Sequence, residues 1–118
     1  MNAMTRVEKP WGYELWWAQT DRYVAKILHI EAGHQLSLQY HERKDETIYI
    51  QAGEMVLVVD RRDGEGLQEI TMRPGDAFHI TPGTIHRMRA VTDVDVLEAS
   101  TPEVEDVVRL EDSYGRVE

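Results

Sequence analysis

The sequence predicts an all-β fold, a sandwich or barrel of two packed antiparallel sheets. Three observations predict it: apolar residues recur at every second position over short stretches, Gly- or Pro-bearing turns separate those stretches at roughly 8–12-residue spacing, and helical periodicity is weak. Residues 23–30 are β-branched and apolar and close at Glu31-Ala32-Gly33. Residues 36–41 alternate, with Ser37, Gln39 and His41 on one face and Leu36, Leu38 and Tyr40 on the other. Residues 46–51 alternate too, and Ala52-Gly53 turns the chain into residues 54–60. A polar loop over 61–66 leads to a strand over 67–72, and Arg73-Pro74-Gly75-Asp76 leads to one over 77–80. Thr81-Pro82-Gly83-Thr84 precedes strands over 85–91 and 94–99. In the tail, Val104, Val107, Val108 and Leu110 share a helical face, so a short helix or tail is expected there.

A chain of 118 residues is expected to be one domain, residues 1–118, with a peripheral N-terminal segment over 1–10 and a tail over 102–118. Thirteen Lys and Arg against 22 Asp and Glu give a net charge of −9. That balance excludes a general nucleic-acid binder, which needs a concentrated basic surface, but leaves room for a small anionic ligand in a locally positive pocket. No apolar run approaches the roughly 20 residues of a membrane span, and the N-terminus lacks a basic region followed by an apolar stretch. A cytoplasmic protein without nucleic-acid or membrane partners is therefore expected. Cysteine is absent, which removes disulfides, thiolate nucleophiles and Cys-rich zinc sites. Any metal must use His, carboxylate or amide ligands.

Such a set is present. Gln39 and His41 are two apart on one strand and so face the same way. Glu46 opens the next strand, and His86 begins a later one just past a Pro-Gly turn. Neighbouring strands of a barrel would bring all four inside. Two imidazoles, a carboxylate and an amide oxygen suit one divalent ion: zinc first, with iron, manganese, nickel or cobalt as alternatives.

The spacing Gly33-x5-Gln39-x-His41-x4-Glu46-x6-Gly53, then Gly75-x5-Thr81-Pro82-Gly83-x2-His86, resembles the two signature motifs of the cupin superfamily. Gln39 stands where the first His is usual, Pro82 is shifted by one, and Ala90 replaces the closing Asn. The resemblance implies a double-stranded β-helix, or jelly-roll barrel, with a metal near its axis. Lys9-Pro10-Trp11-Gly12-Tyr13-Glu14, Leu36-Ser37-Leu38-Gln39-Tyr40-His41, Ile85-His86-Arg87 and residues 105–116 further resemble the C-terminal cupin domain of type II mannose-6-phosphate isomerases. In many of those proteins a mannose-1-phosphate guanylyltransferase domain precedes it; a chain of this length has no room for that nucleotidyltransferase, so a cupin without it is expected. The resemblance implies metal-dependent aldose–ketose interconversion of a hexose 6-phosphate, with Gln39, His41, Glu46 and His86 as the metal set. Where those isomerases often continue with histidines and Arg-Ala-Glu-His, this chain reads Glu42-Arg43-Lys44-Asp45-Glu46-Thr47, and Met88-Arg89-Ala90 follows His86-Arg87. These departures bear on the substrate.

That isomerisation needs a base near the carbon acid. Glu98 is the favoured candidate, because Val94, Val96 and Glu98 share a face and burial would raise its pKa. Lys26 interrupts an inward apolar face and is a candidate for catalysis or for holding a phosphate or sugar oxygen. Arg87, Arg109 and Arg116 are further phosphate candidates, and His34, just after Gly33, is a lesser substrate-binding one. His29 and His79 are expected to be structural or superficial. For Trp11, Tyr13, Trp16, Trp17 and Tyr23, core packing or a subunit contact is expected before a sugar-stacking wall. The acidic residues from Glu103 to Asp112 read as a solvated face, and Gly33, Gly53, Gly75 and Gly83 as positive-φ turns. Two rival functions share the ligand set: an Fe(II)-dependent dioxygenase, and a sugar-binding or regulatory module without catalysis. A homodimer is expected from the exposed edge strands and the aromatic N-terminal segment.

Overall fold

The computed structural model describes residues 4–117; residues 1–3 of the expected peripheral segment and Glu118 of the expected tail lie outside the described residues. Within them the chain forms eleven strands: β1 (Thr5–Lys9), β2 (Gly12–Gln19), β3 (Val24–Ile30), β4 (Leu38–Tyr40), β5 (Glu46–Ala52), β6 (Met55–Asp60), β7 (Leu67–Met72), β8 (Ala77–Ile80), β9 (His86–Ala90), β10 (Val94–Ser100) and β11 (Val108–Glu111). They make two antiparallel sheets, ordered β1-β2-β3-β10-β5-β8 and β11-β4-β9-β6-β7. The all-β, two-sheet expectation is met. Among the described residues no helix is long and apolar enough to cross a membrane.

Alternation explains the packing. In β5, Glu46, Ile48 and Ile50 are buried while Thr47, Tyr49 and Gln51 are exposed, and in β6 Met55, Leu57 and Val59 are buried in the same way. Leu28, Ile30, Ile48, Ile50, Leu57, Met88, Val94 and Val96 fill one end of the space between the sheets. Full burial stabilises the fold by about 1.5–3 kcal/mol per large side chain. Such a core supports polar residues on the same strands further along: Lys26, Glu46, His86 and Glu98 are all buried.

Gly53 is needed where it stands. Its φ is +85°, and an added Cβ would lie 2.0 Å from the carbonyl oxygen of Asp93.

The structure refines three expectations. Of the expected helix or tail, the chain takes the tail: residues 104–105 turn, 106–107 are irregular, and Val108–Glu111 pair with β4 as an edge strand. Carbonyls left open on one side of β4 select an extended partner over a helix. Within the peripheral N-terminal segment, β1 is an edge strand that pairs with β2 from Thr5↔Trp16 to Lys9↔Gly12. Leu36, expected on the face opposite Ser37, is buried in the core, and Ser37 is buried too. Regular pairing starts only at Leu38; before it the chain makes a single bridge, Gln35↔Arg89, so strict alternation does not extend that far.

Candidate metal centre and active site

Register builds the site from two facing rows. Directly paired residues leave a sheet on the same face. In the five-stranded sheet Arg109 is opposite Gln39, Gln39 opposite His86, and His86 opposite Val59. In the six-stranded sheet Trp16, Lys26, Glu98 and Ile48 form the corresponding row, with Ser100, Glu46 and Ile80 beside it.

His41, Glu46 and His86 meet between these rows, their ligand atoms within 4.8 Å of one another. His86 Nε2 lies 3.3 Å from Glu46 Oε1, and His41 Nε2 lies 3.8 Å from Oε2. The other ring nitrogens are anchored: His86 Nδ1 to the Thr84 carbonyl at 2.9 Å, His41 Nδ1 to the Asp106 carbonyl. Anchoring Nδ1 leaves Nε2 as the free lone pair, the arrangement a metal-binding imidazole needs. Both Glu46 oxygens and His86 Nε2 are buried without hydrogen-bond partners. Lys44 Nζ lies near Oε2, but Oε1 and His86 Nε2 face each other at 3.3 Å with no partner between them. Buried polar atoms left so are costly unless a cation satisfies them, so these residues fit a divalent ion. Gln39 reaches the same spot, but its oxygen accepts from Ser37 Oγ and its Nε2 stands 3.5 Å from His41 Nε2. Its amide must turn over to offer an oxygen ligand.

Sequence reasoning missed Lys44. It lies in the loop between β4 and β5, where alternation assigns no facing, yet it is buried. Its Nζ stands 3.0 Å from Glu46 Oε2, outside hydrogen-bond alignment, and donates to Glu98 Oε2 at 3.3 Å. Burial opposes the Lys44 charge, but Glu98 and Glu46 outweigh it and hold the ammonium above its ordinary range. Burial also opposes the charge on Glu46, and contact with His86 and the nearby Lys44 hold that carboxyl well below the carboxylate range. Glu98 goes the other way: burial, reinforced by the charge of Glu46, pushes it up to about 7. Burial likewise lowers His41, favouring the neutral ring that a metal requires.

Lys26 Nζ is 3.5 Å from Glu14 Oε1 and 4.1 Å from the centre of the Trp16 ring, while Trp16 Nε1 donates to the same Glu14 oxygen. Glu14 was missed because β2 was not foreseen. These groups, with Gln39, His41, Lys44 and Glu98, line one pocket together with Val104, Val107, Lys9, Arg109 and Arg116. Trp11 and Trp16 are on its wall, whereas Trp17 and Tyr23 are exposed.

Two substrate candidates lie elsewhere. Arg87 follows the inward His86, so alternation turns it to the opposite face. It donates to the Leu36 carbonyl at 2.9 Å and to the Glu111 side chain and carbonyl at 3.0 and 3.1 Å. His34 Nδ1 is hydrogen-bonded to Tyr114 Oη at 2.6 Å. Both residues fasten the C-terminal segment and neither lines the pocket. Nor is the acidic run merely a solvated face: the Asp106 carboxylate accepts from the amides of Glu42, Arg43 and Lys44 at 2.7–3.1 Å.

The Cupin domain family model matches residues 26–99, more than half of the chain. The chain belongs to the cupin family. Its two-sheet fold is shared by KdgF from Halomonas sp., with 24% identity, 89% of this chain and 92% of that chain covered, and a TM-score of 0.73. CapF from Staphylococcus aureus, a capsular polysaccharide assembling protein, matches at 17% identity over 94% of this cupin and 35% of its own length, with a TM-score of 0.75. Oxalate decarboxylase from Bacillus subtilis, which has Mn(II) centres, matches at 18% identity over 89% of this chain and 29% of its own, also with a TM-score of 0.75. This cupin thus spans about a third of those two longer proteins. No curated protein matches the sequence.

Proposed function

We propose that this cupin is a metal-dependent sugar-phosphate isomerase of the mannose-6-phosphate isomerase kind, interconverting the aldose and ketose forms of a hexose 6-phosphate. One observation carries the reading: Glu98, a buried carboxyl raised to about 7, lines the same pocket as His41 and is linked through Lys44 to Glu46 of the His41–Glu46–His86 cluster. A carboxyl poised there is half-ionised near neutral pH, the condition for taking and returning a proton.

His41, Glu46 and His86 would hold a divalent ion, zinc in this proposal, which would supply Lewis-acid stabilisation of charge on a sugar oxygen. Glu98 takes the proton from C2 of the aldose and delivers it to C1 of the enediolate; the hydroxyl proton moves between the two sugar oxygens, so atoms and charge balance. Lys44, in contact with Glu98, keeps the carboxylate form accessible despite its burial. Lys26 and Trp16 present a cation and a ring face to the sugar. Lys9, Lys26, Lys44, Arg109 and Arg116 outnumber Glu14 and Glu98 on the pocket wall, which favours an anionic substrate inside an acidic protein. A charged sugar phosphate does not cross membranes unaided, and a cytoplasmic location belongs to the same reading.

The test is anaerobic conversion of mannose 6-phosphate to fructose 6-phosphate by zinc-loaded protein. Turnover that a chelator abolishes, and that Glu98→Gln lowers by roughly 100-fold or more, is the expected result. Oxygen uptake with iron, or sugar-phosphate binding without turnover, contradicts it.

A further inference from the structure

The cations on the pocket wall are not equivalent. Lys26 is paired with Glu14, Lys44 with Glu46 and Glu98, and Arg116 with Asp112. Arg109 and Lys9 have no ion-pair partner among the described residues, and Arg109 Nε is buried without a hydrogen-bond partner. Arg109 sits on β11 opposite Gln39, so its side chain leaves the sheet on the face that carries the candidate metal ligands. Its strand is fixed from behind by Arg87 through Glu111 and by the Arg116–Asp112 pair just beyond it. A guanidinium held this way, desolvated at Nε and uncompensated, costs free energy until an anion arrives.

We infer that Arg109, with Lys9 as the second charge, forms the subsite on the pocket wall that holds the phosphate monoester of the substrate. The inference rests on the sugar-phosphate reading above. It makes β11 a strap that determines specificity. Arg87, which sequence reasoning placed on the phosphate, instead serves it by holding the strap. A dianionic phosphate matches two uncompensated cations, and its oxygens suit the guanidinium fork; a carboxylate would satisfy only one charge. The subsite uses no metal ligand, so it reads the anion in chelator-treated protein as well.

The experiment is calorimetric titration of chelator-treated protein with mannose 6-phosphate, mannose and galacturonate, with isomerase turnover of zinc-loaded protein assayed separately. Wild-type protein is expected to bind mannose 6-phosphate roughly 100-fold tighter than mannose. Arg109→Met should cut that preference about 10- to 100-fold and Arg109→Lys should restore part of it. Lys9→Met, at the edge strand, should cut it about 3- to 10-fold, and this variant carries the test if Arg109→Met fails to fold. If both neutral variants keep the wild-type preference, the inference is overturned and the isomerase reading stands. If the preference depends on Arg109 but wild-type protein turns nothing over, the subsite is upheld and the isomerase reading falls. A wild-type preference for galacturonate, or none for either anion, overturns the phosphate assignment.

Discussion

Asp106 and His41 are joined across 65 residues of sequence: the Asp106 carbonyl accepts a hydrogen bond from His41 Nδ1, while the Asp106 carboxylate accepts three amides of the loop that follows His41. One tail residue therefore orients a candidate metal ligand and also fixes the loop that delivers Lys44. The site is assembled by the C-terminal segment as much as by the barrel strands.

Asp106→Ala removes the acceptor for three amides at once. The expected loss is about 2 kcal/mol of stability and roughly tenfold in metal affinity, read by urea unfolding and by metal titration. Asp106→Asn, which keeps one acceptor oxygen, should fall between. Unchanged metal affinity in Asp106→Ala would show that the loop holds itself.

Glu98 sets a pH dependence with a definite sign. Its folded pKa, about 7, exceeds the ordinary 4.5, so the folded protein keeps a proton that the unfolded chain releases. That contribution is fully present below 4.5 and is lost as pH rises to about 7, a fall of about 3 kcal/mol in chelator-treated protein. Glu46, held below its ordinary value, acts oppositely: its contribution is present above 4.5 and lost as the pH falls. Urea midpoints at pH 5 and pH 8 check the first effect, because Glu98→Gln should remove most of the decline. Equal declines in both proteins would place the proton elsewhere.

Arg87 is a fastening. Arg87→Met leaves the carbonyls of Leu36 and Glu111 without their donors and should lower stability by about 2–3 kcal/mol. Thermal unfolding of Arg87→Met without ligand reads this directly. A variant as stable as wild type would return Arg87 to the list of substrate contacts.

How much of this was legible follows from particular residues. The strands of residues 46–60 could be read because Glu46, Ile48, Ile50 and Met55, Leu57, Val59 each keep a period of two, and that period also turned Glu98 and Lys26 inward. Strand β2 could not be read: a bulge between Trp16 and Ala18 breaks its alternation, and Glu14 was hidden with it. Val104, Val107 and Val108 imitate a helical face, although the first two line the pocket from a turn and an irregular stretch and the third opens β11. Arg87 was misplaced by adjacency to His86, where strict alternation already pointed it away. Lys44 had only one signal, its place in a short loop between two motif residues. A loop side chain is positioned by tertiary contacts, here by Asp106, that no local pattern encodes.

The metal centre is the central claim, and a zinc titration of chelator-treated protein followed by thermal unfolding tests it most directly. Wild-type protein should bind one ion per chain and gain roughly 10 °C when zinc exceeds its dissociation constant about 100-fold, while His86→Ala should show no gain. A wild-type protein that takes up no ion, or a His86→Ala variant that gains as much as wild type, would contradict it.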